Sequence, residues 1–181
     1  TLDYLPGVKI DLMMLKVLFE EIYGYKVYCT YDPNQPETES LTLKQFNIFL
    51  MEHYNNLIKV DKNVYDSLIF VWCGHGNTKT EEGDTLITSD DDKYKPFKKI
   101  QELFAHDTDM FLNKPKIFIK NTCRGNEQLQ QTENEQQWYN SESDTFIIFS
   151  TTPGKLIFDS MDPNQGKGSI GRTNYSNNYN L

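Results

Sequence analysis

The chain has 181 residues, 38% of them hydrophobic and 13% aromatic, and a formal net charge of −8. That length and apolar content give one domain with a sizeable core, not a disordered chain. The acidic balance reads as solubility and excludes the clustered Lys and Arg of a nucleic-acid surface. No apolar run reaches the roughly 20 residues of a membrane-spanning helix. The opening Thr1-Leu2-Asp3-Tyr4 has neither the charged nor the apolar region of a signal peptide. Three cysteines, Cys29, Cys73 and Cys123, without C-x-x-C spacing suit neither a disulfide framework nor a zinc knot. The expectation is a cytoplasmic protein with at least one free thiol, contacting neither membrane nor nucleic acid.

The first element reads as a helix from Ile10. Met14, Leu15, Leu18, Phe19 and Ile22 keep a 3.6-residue period, and Gly24 stops it. Lys26 to Cys29 reads as a short strand, and Asp32-Pro33-Asn34-Gln35-Pro36 as loop punctuation. Thr42 and Gln45 form a capping box for a second helix, with Leu43, Phe46, Phe49, Leu50 and Leu57 on one side.

Ser67-Leu68-Ile69-Phe70-Val71-Trp72 is a continuous apolar run without alternation. Such a run predicts a strand buried on both faces, as in a parallel sheet. It ends in Cys73-Gly74-His75-Gly76. Thr85 to Thr88 is a further short strand. Pro96 starts a helix with Phe97, Ile100, Leu103 and Phe104 inward. Lys116 to Lys120 is a second buried strand, ending at Asn121-Thr122-Cys123-Arg124-Gly125. Thr145 to Ser150 is a third, ending at Thr151-Thr152-Pro153-Gly154.

Strands alternating with helices give an α/β class, with a mostly parallel central sheet flanked by helices. In such sheets ligands bind beyond the carboxyl ends of strands. His75, Cys123 and the turn at 151–154 all sit at such ends. A histidine can take a proton from a cysteine and later protonate a leaving amine. The backbone amides of Gly76 and Cys123 are the natural oxyanion donors, and glycine lets a substrate carbonyl come close. Taken singly, Cys123 also reads as buried filler and His75 as a solvated turn residue.

The pair has more specific neighbours. Asn121-Thr122-Cys123-Arg124-Gly125 lies 48 residues after His75, and caspases carry Q-A-C-[RQG]-G with a His about 50 residues upstream. Cys73-Gly74-His75-Gly76 resembles their "S-H-G" turn. Phe111 to Ile119 resembles "L-x-x-K-P-K-I-F-F-I", Glu127 continues "C-R-G-x-E", and Ser150 to Gly154 is similar to "S-T-V-P-G". Gly168-Ser169 looks like "G-S-W-F", and Gly7 with Asp11 like "G-x-x-x-D-x-x-x-L". From Pro6 to Ile170 the chain thus resembles a caspase-like cysteine peptidase. The resemblance implies a three-layer sandwich over residues 1–172, with 126–143 as an inter-subunit-type linker and 173–181 as a polar tail. It also implies polypeptide substrates and no cofactor. The family's first strand, before Gly7, and its last strand, after Ile170, find no counterpart here. A homodimer is implied only where that last edge strand is present.

The pocket departs from the family's. Caspases hold an aspartate with two arginines, and the matching residues here are Leu5 and Asp159. The Gln of "Q-A-C" is Asn121. Asp159 would repel a carboxylate and attract Arg or Lys, though it reads equally well as a turn residue in water. The linker complicates this: 125–144 holds no Lys or Arg at all, and its one Asp is Asp144. Asp90-Asp91-Asp92 with Asp84 forms an acidic patch. Metacaspases bind activating calcium with acidic residues, but the spacing here lacks an EF-hand's alternating ligands and reads as a solvated turn. Two other readings stand beside the peptidase: a catalytically inactive caspase-like scaffold, and a flavodoxin-like binding domain, which lacks its Gly-rich phosphate loop.

Overall fold

Thr42 and Gln45 close the capping box that the sequence predicts. The Thr42 hydroxyl accepts from the Gln45 amide at 3.3 Å, and the Gln45 side-chain oxygen accepts from the Thr42 amide at 2.9 Å. The helix they start, α2, runs Leu43–Leu57 and buries Phe46 and Leu50. The computed structural model describes residues 4–79, 82–90, 93–122 and 144–150. Before α2 lies α1, Gly7–Val17, continued by one π-helical turn over Leu18–Ile22. Gly24 follows at φ 71°, a left-handed conformation that suits glycine at a helix end. The α1 face toward the sheet carries Gly7 and Asp11, both buried. Met14 and Ile22 are exposed, contrary to the expected stripe. The wider π turn rotates Ile22 out of phase with the preceding turns.

The main sheet has the order β1-β5-β6 and is parallel throughout. β1 is Leu68–Cys73, β5 is Lys116–Asn121 and β6 is Thr145–Phe149. Every β1–β5 pair, from Leu68 opposite Lys116 to Cys73 opposite Asn121, is offset by 48 positions. A second, antiparallel sheet lies between β1 and β5 in the chain, and the sequence reading missed most of it. It comprises β2 (Gly76–Lys79), β3 (Gly83–Ile87) and β4 (Tyr94–Pro96), in that order. The predicted strand at 85–88 is β3, and it pairs here and not in the main sheet. The helix that Pro96 starts, α3, spans Phe97–Gln101 and continues as a π turn over Glu102–His106. The domain scheme's linker at 126–143 and tail at 173–181 lie outside the described residues.

The core joins α2, α3 and both sheets through Phe46, Leu50, Trp72, Leu86, Phe97, Ile100, Phe104 and Phe118. Phe46 stacks obliquely on Trp72 at 5.0 Å, and Phe97 meets Phe118 edge-on at 6.0 Å. Burying each such side chain stabilises the fold by about 1.5–3 kcal/mol.

Two strands are less enclosed than their apolar runs suggest. On β1 only Trp72 is fully buried, and on β6 Phe146 and Ile148 are exposed. The β1 edge away from β5 borders a groove of about 540 Å³, lined by Leu15, Phe19, Val27, Phe49, Leu68 and Phe70 among others. Residues 26–29, expected as a strand, run along that groove and join neither sheet among the described residues. A strand needs a hydrogen-bonded neighbour, and no described strand pairs with this segment.

Candidate active site

β1 ends in Trp72-Cys73 and turns through Gly74-His75 into Gly76, the first residue of β2. Gly74 sits at φ 151°, outside the range that side chains favour, which lets the chain leave the sheet at once. The His75 carbonyl is held twice. It accepts from the Trp72 indole Nε1 at 3.1 Å and from the Ile87 amide at 3.1 Å. The half-buried His75 is therefore fixed at its backbone by β1 and β3 together.

The same turn is fastened to β5. The Gly74 amide donates to the Asn121 carbonyl at 3.2 Å, extending the sheet ladder by one step. Gly76 is buried and lies hard against Thr122. A methyl group built on it would sit 2.6 Å from Thr122 Oγ1 and 2.8 Å from the Thr85 carbonyl. The structure thus brings the His75–Gly76 turn against Asn121 and Thr122. Cys123 is the next residue and lies outside the described ones, as do Asp159 and the turn at 151–154. Leu5 is half-buried just before α1.

Asn121, at the end of β5, is half-buried, and its Nδ2 donates to Asp11 Oδ2 at 3.1 Å. Asp11 is fully buried on α1. Cys73 sits beside them, opposite Asn121 in the sheet. Burial pushes its thiol up to about 12, the Asp11 carboxylate adds to the rise, and the Asn121 hydrogen bond opposes it. Cys73 is thus protonated at neutral pH and is no nucleophile. Cys29, half-buried, lines the groove at the other edge of β1.

The acidic patch proves to be two different things. Asp90 is a tie within a turn: its Oδ1 accepts from the Leu43 amide at 2.8 Å and the Thr88 hydroxyl at 2.7 Å. Its Oδ2 pairs with Lys93. Asp84 is no solvated turn residue. Its side chain is 9% exposed and its Oδ1 lies 3.1 Å from the Nζ of Lys120, which is fully buried. Asp91 and Asp92 lie outside the described residues. Among the described residues no three His, Cys, Asp or Glu side chains cluster as a metal site, and no helix is long and apolar enough to cross a membrane.

The sequence reading missed Asp11 as the partner of Asn121, Thr122 as the surface against Gly76, and the Asp84–Lys120 pair. One signal was available: the 116-118-120 face of a strand expected to be buried carries Lys116 and Lys120 on either side of Phe118, and a buried lysine needs polar or charged partners.

No curated protein matches the chain. The family model of the caspase domain matches residues 1–171. A parallel sheet with helices around it, a glycine-hinged histidine turn and a match over nearly the whole length agree, and the chain belongs to the caspase-domain family of cysteine peptidases.

Proposed function

We propose that the chain is a cysteine endopeptidase working through His75 and Cys123. One observation carries the reading: Gly76 packs on Thr122 with no room for a side chain. The turn bearing His75 therefore abuts the residue before Cys123. The sheet register supports it, because the β1–β5 offset of 48 positions is also the separation of His75 and Cys123 in sequence.

In this reading His75 takes the Cys123 thiol proton, and the thiolate attacks the scissile carbonyl. The Gly76 and Cys123 amides receive the oxyanion. His75 then protonates the leaving amine, and water hydrolyses the thioester with His75 as base. The catalytic unit is one domain, 1–172, acting on polypeptides without a cofactor, and with 126–143 as a linker.

The pocket reading is a preference for Arg or Lys before the scissile bond. Asn121 and Asp159 are its residues, with Leu5 in place of an arginine. The support is electrostatic. Asn121 hydrogen-bonds a buried carboxylate, Asp11, and Leu5 and Asp159 stand where caspases carry their two arginines. A substrate carboxylate would meet negative charge there, and a cation would be attracted.

The test is labelling with peptide chloromethyl ketones ending in Arg or Asp, followed by turnover of the matched peptides. Labelling at Cys123, lost in Cys123→Ala and faster with Arg, supports both parts. Faster reaction with Asp removes the basic preference. Absence of labelling with either leaves the chain as a non-catalytic caspase-like binding domain.

A further inference from the structure

Lys120 is the least expected charge in the molecule. It is fully buried, on the β5 face it shares with Phe118. Its Nζ lies 3.1 Å from Asp84 Oδ1 on β3. The same oxygen accepts from the Thr78 hydroxyl on β2 at 2.7 Å, and Thr78 is itself buried. One carboxylate oxygen thus gathers a hydroxyl from the strand that begins at Gly76 and an ammonium from the strand that leads to Cys123.

Stability alone does not account for such a pair. Desolvating two charges costs about as much as their attraction returns, and a well-packed apolar pair is often as stable. What a buried pair supplies is placement, since an ammonium and a carboxylate accept few relative positions in a dry interior. The placement here is between the two sheets. β2 carries the continuation of His75–Gly76, and β5 ends at Asn121, two residues before Cys123 in the sequence.

We propose that Lys120 and Asp84 are positioning residues that lock the small sheet against β5, holding His75 and Gly76 in working distance of Cys123. This rests on the peptidase reading above and adds a determinant of its rate. Neither side chain touches substrate. They act through the backbones of β2 and β5, where a shift of about 1 Å can cost a hundredfold in rate.

The experiment compares the whole chain with Lys120→Met, Asp84→Leu and the double variant Lys120→Met/Asp84→Leu. Three quantities are read: thermal midpoint, kcat and KM on the preferred peptide, and the pH profile of iodoacetamide alkylation at Cys123 by peptide mass spectrometry. Each single variant deprives one buried charge of the opposite charge beside it and loses stability. The double variant removes both charges and regains most of the midpoint, so it keeps the test open where the singles fail to fold. In it kcat is expected to fall roughly tenfold to a hundredfold with KM little changed. The Cys123 profile is expected to move toward that of a free thiol, near 8.5. A natively folded double variant with kcat within about fivefold of the parent and an unmoved profile overturns the proposal. Should the parent itself show no turnover and alkylate as a free thiol, the peptidase reading falls and takes this proposal with it. Parent activity beside unaffected variants removes the positioning role alone.

Discussion

Gly76 and Thr122 are in such close contact that a Cβ on the first would stand 2.6 Å from the hydroxyl oxygen of the second. The contact joins the residue after His75 to the residue before Cys123. It also leaves no slack, because the Thr85 carbonyl closes the other side at 2.8 Å.

Gly76→Ala should therefore push the turn off β5. The expected cost is about 1–3 kcal/mol in stability, from overpacking against backbone that cannot retreat. Activity should fall further than stability does, by roughly a hundredfold to a thousandfold in kcat, as when an oxyanion donor is lost. Steady-state kinetics beside a urea titration separate the two. Trimming Thr122 to Ala in the same chain should recover only part of the loss, because the Thr85 carbonyl remains.

Asp11→Ala should leave the Asn121 amide without its carboxylate. A buried hydrogen bond to a charged group contributes about 1.5–3 kcal/mol, and a loss of that size is expected. The same change should narrow the preference for a basic over a neutral residue before the scissile bond, since a buried negative charge is gone. Ratios of kcat/KM for matched Arg and Gln peptides check the second effect, and unchanged ratios would confine Asp11 to a structural role.

The raised Cys73 thiol gives the fold an alkaline weakness. Its value in the folded chain is about 12 against an ordinary 9.0, with burial as the main cause. Between those values the unfolded chain has lost the proton and the folded chain keeps it. Stability therefore stands in full below about pH 9 and falls as pH rises toward 12. The slope of this single group is about 1.4 kcal/mol per pH unit. Urea unfolding at several alkaline pH values should show a shallower slope in Cys73→Ala.

At the acid end Asp90 acts in the opposite sense. The Thr88 hydroxyl, then the Leu43 amide and Lys93, hold its carboxyl down to about 2 from 3.8. Its contribution is present above pH 4 and is lost as pH falls toward 2. Asp90→Asn should raise the midpoint of acid unfolding followed by circular dichroism. An unchanged midpoint would show that the turn does not depend on the charge.

Local chemistry that acts over three or four residues was readable in the sequence. Thr42 with Gln45, Pro96 before Phe97, and Gly24 after the first helix all do there what their types dictate. The long apolar runs gave the three parallel strands, and the spacing of His75 from Asn121-Thr122-Cys123 matched the register that pairs their strands. The small sheet escaped because Gly76–Lys79 and Tyr94–Pro96 are short, polar and without alternation; they are strands through their neighbours. Asp84 was misread for a related reason. A run of acids looks solvated until a lysine from a strand 36 positions later is seen to reach it.

The edge of β1 has a practical consequence. Among the described residues Leu68–Cys73 pairs with β5 alone, and its residues also line an apolar groove. Such an edge is a template for any extended apolar stretch, including one from another copy. At low ionic strength the net charge of −8 keeps copies apart. Added salt screens that repulsion within about 10 Å at 0.1 M. Concentrated, salty stocks of the purified chain are therefore where turbidity should first be seen, and dilute low-salt buffer is where the monodisperse chain should keep.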